Sequence, residues 1–269
     1  MFDHKDQVSQ RQAARRFNCD QSMICKTLKK YTQIRVMKKE RIPKRTEKQS
    51  IESRKKCGEM YKNYKTVNWV IDDESYFTLT HSSINGNNRY YTSDKELTPS
   101  NVRYSAAAKY QSKVLVWLCF SQEGISKQFY LESGYAVNQE VYLNECIKKR
   151  LLPFLKKYHE DRNYIFWPDL ASSHYAKSVT NFMDQNQINY IKKKENPANV
   201  PECRPIENFW AILKGLVYQN NWQASSIEAL KTRIQLCIKK IDQNLVKKLA
   251  ESIPSRLNNV QRNGFIEIQ

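Results

Sequence analysis

From Val67 onward the apolar residues of this chain change period in a fixed order: strand-like runs first, then alternating helical and strand-like runs. That order describes a mixed sheet with helices packed against it, an α/β fold. The clearest buried strand is KVLVWLCF, Lys113 to Phe120, and KQFYLE, Lys127 to Glu132, returns beside it across the SQEGIS turn. Asn68 to Asp73 and Tyr76 to His81 read as two further strands and NRYYTS as another, with SSINGNN supplying the turn before it. Residues 138–158 place Val141, Tyr142, Ile147, Leu151, Leu152 and Leu155 on one helical face, and Pro153 marks a kink or break. A strand from Tyr164 to Trp167, a helix through Val179 and Met183 and a strand from Ile188 to Ile191 follow. A helix bearing Ile206, Phe209, Trp210, Leu213, Leu216 and Val217, then a helical tail within Ile227 to Leu257, complete the order.

Acidic residues stand at the ends of several of these runs. Asp169 follows Tyr164 to Trp167, so it projects from the carboxyl end of a strand, the usual ligand position in open α/β sheets. Glu207 comes after 37 intervening residues, just after Pro205, in the first turn of a helix. Upstream, the first strand of VNWVIDDESYFTL ends on Asp72, Asp73 and Glu74. Single acids at such places are ordinary caps and dipole partners. Three from distant parts of the chain suggest a carboxylate cluster for hard divalent cations.

Charge points to the partner. The net charge is +18, and residues 1–66 hold 19 Lys and Arg against 7 Asp and Glu. A basic surface concentrated at one end of the chain implies a polyanion, nucleic acid foremost and a membrane surface as its rival. No apolar run approaches the roughly 20 residues of a membrane span, and MFDHKDQVSQ lacks the apolar core of a signal peptide, so a soluble intracellular protein is expected. The seven cysteines form no CxxC pair and the four histidines are dispersed, which argues against zinc and disulfide frameworks. There is no internal repeat and no Gly-rich phosphate loop, which argues against a nucleotide-hydrolysing motor.

Three parts follow: residues 1–32, 33–66 and 67–269. The first contains two short helices around a turn at Asn18 to Asp20, with Ala13, Ala14 and Phe17 facing inward, an Ile24 and Leu28 pair on the second helix, and Asp20 as N-cap. In a helix-turn-helix of this kind Gln21, Ser22 and Lys26 would reach base edges in the major groove, and Arg15, Arg16, Lys29 and Lys30 would hold phosphates. The second part is a basic linker interrupted by Pro43, suited to tracking phosphates and to nuclear import. The third holds the acids.

These motifs together resemble the mariner-type, or Tc/mariner, DNA transposases, and the resemblance spans most of the chain. IDDES resembles the family's first catalytic strand, with Asp73 in the catalytic place followed by Glu74 and Ser75. Asp169 with His174 five residues on resembles the second motif, and VPECRPIENFWAILK resembles the third, in its NPIENLW form, with Glu207 the acid and Asn208 and Trp210 behind it. Two departures are visible. Leu170 stands where many relatives have Asn, and one helix-turn-helix is evident where relatives often carry two.

The resemblance implies a ribonuclease H-like catalytic domain, preceded by the helix-turn-helix, that cuts DNA at element terminal repeats and joins it to a target. Asp73, Asp169 and Glu207 are then the catalytic acids, holding two Mg²⁺ or Mn²⁺ ions with Asp73 shared between them. Water, and then a DNA 3′-hydroxyl, is the nucleophile. Asp72 competes with Asp73 for the first place, and His174 either packs and hydrogen-bonds at a helix start or meets the scissile phosphate. Phe209 and Trp210 are expected in the core. A homodimer on DNA and a nuclear location are also implied. A decayed DNA-binding descendant and an endonuclease without strand transfer remain as alternatives.

Overall fold

A computed structural model of the chain describes residues 9–34, 43–79, 94–103, 112–132 and 137–265, in two compact units, 1–44 and 45–269. The smaller unit pairs α1 (Gln10–Arg16) with α2 (Gln21–Tyr31). Ser9 and Gln12 form a reciprocal capping box at the start of α1, and the Asp20 carboxylate accepts the Ser22 amide at 2.7 Å to start α2. Asn18 adopts a φ of 50°, the left-handed conformation that lets the turn close. Ala13 and Ala14 are buried between the helices, as expected. Phe17 is not: as the residue that ends α1 it is 59% exposed, because the chain leaves the helical face there.

The larger unit begins at Arg45, earlier than the expected boundary near residue 66. The basic stretch after Pro43 contains α3 (Glu47–Tyr64), whose Cys57 and Met60 are buried in the main core. Arg54 donates to the carbonyls of Gln261 and Arg262, so charge on this helix coexists with packing. The composition shift at residue 65 is therefore a shift in charge within one body.

The sheet is built on β1 (Asn68–Thr78), which pairs antiparallel with β2 (Lys113–Ser121) and parallel with β5 (Tyr164–Trp167). Two short strands, β3 (Gly124–Ile125) and β4 (Phe129–Glu132), lie along the other edge of β2. The two strands expected from Asn68 to His81 are one in the structure, at least as far as Thr78. Its acidic middle reads as a break, yet β2 pairs with it continuously from Ile71 to Thr78. The NRYYTS strand and its turn lie outside the described residues. The expected strand from Ile188 to Ile191 is reduced to a single parallel bridge, Phe166 with Tyr190.

Strand alternation divides the core into two. Trp69, Ile71 and Phe77 of β1 join Val116, Leu118 and Phe120 of β2 under α3, α8 (Ile206–Val217), α9 (Ile227–Lys240), α10 (Gln243–Glu251) and α11 (Ile253–Asn263). Val70, Trp117, Cys119, Tyr164 and Phe166 face the opposite layer. There a helical rod runs from α5 (Gln139–Val141) through a π-helical segment, Tyr142–Leu151, into α6 (Leu152–Tyr158), with α7 (Lys177–Gln185) beside it. Pro153 stands in the first turn of α6, so the expected disturbance appears as a change of winding just before it. A proline ring in an unbroken α-helix would meet the carbonyl four residues back, and the wider π winding relieves that clash. A short helix, α4 (Ser100–Arg103), and two 3-10 turns, Pro201–Cys203 and Gln219–Asn221, complete the described elements.

Candidate active site

The register of the parallel pair places two of the acids. Ile71 is the last residue of β1 opposite β5, across from Trp167, and Asp73 and Asp169 each stand two residues beyond that pair. β1 continues as a strand past this point, held by β2, whereas the chain after Trp167 turns out of the sheet. Asp73 thus lies mid-strand, not at a strand end, but at the carboxyl edge of the parallel pairing all the same. Glu207 is the second residue of α8 and is exposed, while Ile206, Phe209, Trp210, Leu213 and Val217 bury the helix's other side. All three carboxylates line one cleft of about 350 Å³, together with Leu170, Asn196 and Arg204.

Asp73 faces α8, and the Trp210 indole N–H donates to its Oδ2 at 3.0 Å. Trp210 is core, as expected, but it also holds the first acid. Burial pushes the Asp73 carboxyl up to about 7; the nearby Arg204 cation opposes this, and the negative charges of Glu74 and Glu207 add to it. Acidic repulsion of this kind, among oxygen donors at one cleft, is what a divalent cation relieves, so the residues fit the ion that the sequence implies. Among the described residues no three His, Cys, Asp or Glu side chains are gathered closely enough to enclose an ion.

Asp72 points the other way. It is fully buried against the second layer, where its Oδ2 accepts the Tyr142 hydroxyl at 2.7 Å and the Trp117 indole N–H at 3.0 Å. Burial raises its pKa, and the pleat turns it away from the cleft that Asp73 lines.

His174 is buried on the Asp72 side, its ring stacked on Tyr142 with centroids 3.8 Å apart. Nδ1 lies 3.3 Å from the Asp169 carbonyl and Nε2 lies 3.3 Å from Glu74 Oε1. Both neighbours are oxygens that accept from the ring's N–H groups. Burial alone lowers its pKa, but the Glu74 hydrogen bond and the charges of Asp72, Glu74 and Asp169 outweigh that and raise it.

Two further residues hold the Asp169 loop, and neither stood among the sequence candidates. Asn196 donates from Nδ2 to the Pro168 carbonyl at 2.9 Å and accepts the Trp167 indole N–H at 2.8 Å. The buried amide at this loop thus comes from a distant segment, while the position after Asp169 is Leu170. Arg204 reaches the carbonyls of Asp72, Trp167 and Pro168. It stands where the NPIENLW form has Asn, so this departure was visible in the sequence; the fate of Asn196 was not. The Arg204 segment is braced in turn, since Arg45 pairs with Glu202 at 2.7 Å and Arg256 donates to the Glu202 carbonyl and to Asn208.

In the smaller unit Gln21, Ser22, Lys26, Arg15, Arg16, Lys29 and Lys30 are all exposed. Arg11 Nε donates to Gln21 Oε1 at 3.3 Å, which steadies the first of the proposed base readers.

No family model matches the chain. It is 28% identical over 207 residues to the transposable element Tc3 transposase of Caenorhabditis elegans, which covers 76% of this chain. The chain spans 59% of that relative's length. The Mos1 mariner paired end complex with Mn superposes at a TM-score of 0.73 with 18% identity, over 97% of this chain and 75% of that one. The Mos1 Strand Transfer Complex gives a TM-score of 0.70 at 18% identity, over 99% and 77%. The chain is thus similar in sequence to the Tc3 transposase across three quarters of its length, and it shares the fold of the Mos1 mariner structures across nearly all of it.

Proposed function

We propose that this chain is a cut-and-paste DNA transposase, which binds element terminal repeats, cleaves phosphodiester bonds and joins the released end to target DNA. One observation carries the reading: Asp73, Asp169 and Glu207, from three distant segments, line one cleft at the carboxyl edge of a parallel strand pair. The Mos1 relatives solved with Mn and as a strand-transfer complex support the same chemistry here.

In this reading Asp73, Asp169 and Glu207 would hold two Mg²⁺ or Mn²⁺ ions. When bound, such ions supply activation of the attacking oxygen and neutralisation of the phosphate and leaving oxygen. The chain's own residues prepare the acids. Trp210 fixes the Asp73 carboxyl through its indole N–H, and His174 and Asn196 hold the main chain on either side of the Asp169 side chain. Gln21, Ser22 and Lys26 read bases in the major groove, while Arg15, Arg16, Lys29 and Lys30 contact phosphates. Among the described residues no helix is long and apolar enough to cross a membrane, and the polyanion that matches the basic charge is DNA. A homodimer that brings two element ends together, and import into the nucleus through the basic stretch 33–66, belong to the same proposal.

The test is incubation of the purified protein with Mg²⁺ or Mn²⁺ and DNA bearing its own element's terminal repeats, with nicks mapped on both strands beside D169N. Cuts at the repeat ends that vanish in D169N are expected. Specific binding with no cut at either metal would make the chain a DNA-binding descendant, and cuts without joining would make it an endonuclease.

A further inference from the structure

Arg204 is nine-tenths buried, yet the hydrogen bonds of its guanidinium run to main-chain carbonyls rather than to any of the three cleft carboxylates. Nη2 donates to the Asp72 carbonyl at 2.5 Å, and Nη1 donates to the carbonyls of Trp167 at 3.3 Å and Pro168 at 3.5 Å. The Asp72 and Pro168 carbonyls immediately precede Asp73 and Asp169, and the Trp167 carbonyl lies one residue further back. The Arg204 carbonyl itself accepts the Glu207 amide at 3.3 Å, in the turn that starts α8. One side chain therefore joins the three segments that carry the acids, at the point where β1 and β5 part. Its planar fork reaches two strands at once, which a lysine ammonium on a flexible stem does not match. The guanidinium also lies over the Trp167 ring, 5.1 Å from the centroid, so its plane is fixed by packing as well.

We propose that Arg204 is a positioning residue: by clasping the carbonyls before Asp73 and Asp169 from the turn before Glu207, it sets the spacing of the three carboxylates that receive the metal ions. This rests on the reading of those acids as metal ligands. The rival role is a plain counter-charge that quiets the acids until ions arrive. The two roles predict opposite signs. If Arg204 acts only as a cation, removing it lowers the repulsion that an incoming divalent ion meets, and metal binds more tightly. If it is a clasp, removing it loosens the acids and metal binds more weakly. Outer-shell groups that orient ligands are worth about ten- to a hundredfold in metal affinity, more than enough to decide the sign.

The experiment is Mn²⁺ titration of the full chain by calorimetry, with wild type, R204Q, R204K and D73N, alongside melting temperatures without metal. R204Q discards the charge and R204K keeps it while losing the fork. The expected result is that both bind Mn²⁺ about ten- to a hundredfold more weakly than wild type while keeping a cooperative melt. R204Q binding as tightly as wild type or more tightly, or R204K matching wild type, would overturn the clasp. So would loss of the fold in both variants, since that would make Arg204 a general stabiliser. D73N separates the two levels of the argument. If wild type binds Mn²⁺ no better than D73N, the metal-site reading itself fails and takes the clasp with it; if D73N alone loses binding, only the clasp fails.

Discussion

Asp72 and Asp73 are neighbours in sequence and opposites in structure. Asp73 opens onto a cleft with two other acids and takes one hydrogen bond from α8, whereas Asp72 is sealed beneath the sheet by a tyrosine and a tryptophan. Both carboxyls are raised in pKa by burial, so a perturbed acid alone does not identify the reactive one. What separates them is the pleat, which sends one to a face where solvent and substrate can arrive and the other into packed side chains. The difference teaches that the pleat can divide adjacent acids on a strand between an open cleft and a sealed layer.

The comparison breaks most sharply under amide substitution. D73N, D169N and E207Q should each lower cleavage by roughly a thousandfold or more, the loss expected when a metal ligand is neutralised, while circular dichroism and repeat binding stay near wild type. Full cleavage by any one of them would remove that residue from the site. On the sealed face, Y142F keeps the ring stacked on His174 but takes a donor from the buried Asp72 carboxyl. It should cost about 1–3 kcal/mol in denaturant unfolding, with cleavage by the folded fraction little changed. A Y142F protein as stable as wild type would mean that Asp72 is satisfied without the hydroxyl.

W210F tests the open face more finely. It keeps an aromatic ring in the α8 core and removes the N–H that holds Asp73 Oδ2. Cleavage should fall by about tenfold, a loss near 1.4 kcal/mol, with a smaller change in melting temperature than Y142F produces. Reversal of that order would place the indole's value in packing alone.

The smallest effect is a pH dependence on the sealed face. His159 is buried, with Nε2 2.9 Å from the Ser121 hydroxyl, and burial lowers its pKa below the usual 6.5 despite the charges of Glu123 and Asp161. A base that holds its proton less well when folded gives the unfolded chain more protons in acid. The His159 contribution to stability is therefore level above about pH 6.5 and falls as the pH drops through the window between 6.5 and the lowered folded value. The difference in melting temperature between wild type and H159Q from pH 7.5 to 5 should show this fall; parallel curves would exonerate the ring.

Much of this was legible before the fold was known, for reasons that particular residues make plain. KVLVWLCF, the α8 stripe and the Val179 and Met183 pair carry strong periods, and each forms the expected element. The acids were found because their neighbours are distinctive in type and spacing. The unity of β1 was hidden because IDDES interrupts the apolar alternation, and only its pairing with β2 shows that polar side chains there face a cleft and a buried network. Ile188 to Ile191 carries a strand's composition but finds a single bridge, since pairing is decided by the neighbour. Asn196 left no sign in the sequence, and Arg204 showed only as a departure without a role, because both act on carbonyls of segments far away in sequence, and main-chain acceptors leave no trace in a string of residue names.

The register that sets Ile71 opposite Trp167 has a genetic consequence. A gene carrying this strand tolerates many substitutions at its apolar positions, because the pleat accepts one branched residue for another. A three-nucleotide deletion between Asn68 and Asp72 is a different kind of damage, although it removes one amino acid and leaves the reading frame intact. Whichever half of β1 kept its partner, the other half would turn its side chains over, carrying an acid from the cleft to the core or from the core to the cleft. Copies of such a gene would drift gently by point mutation and fail abruptly by the loss of a single codon.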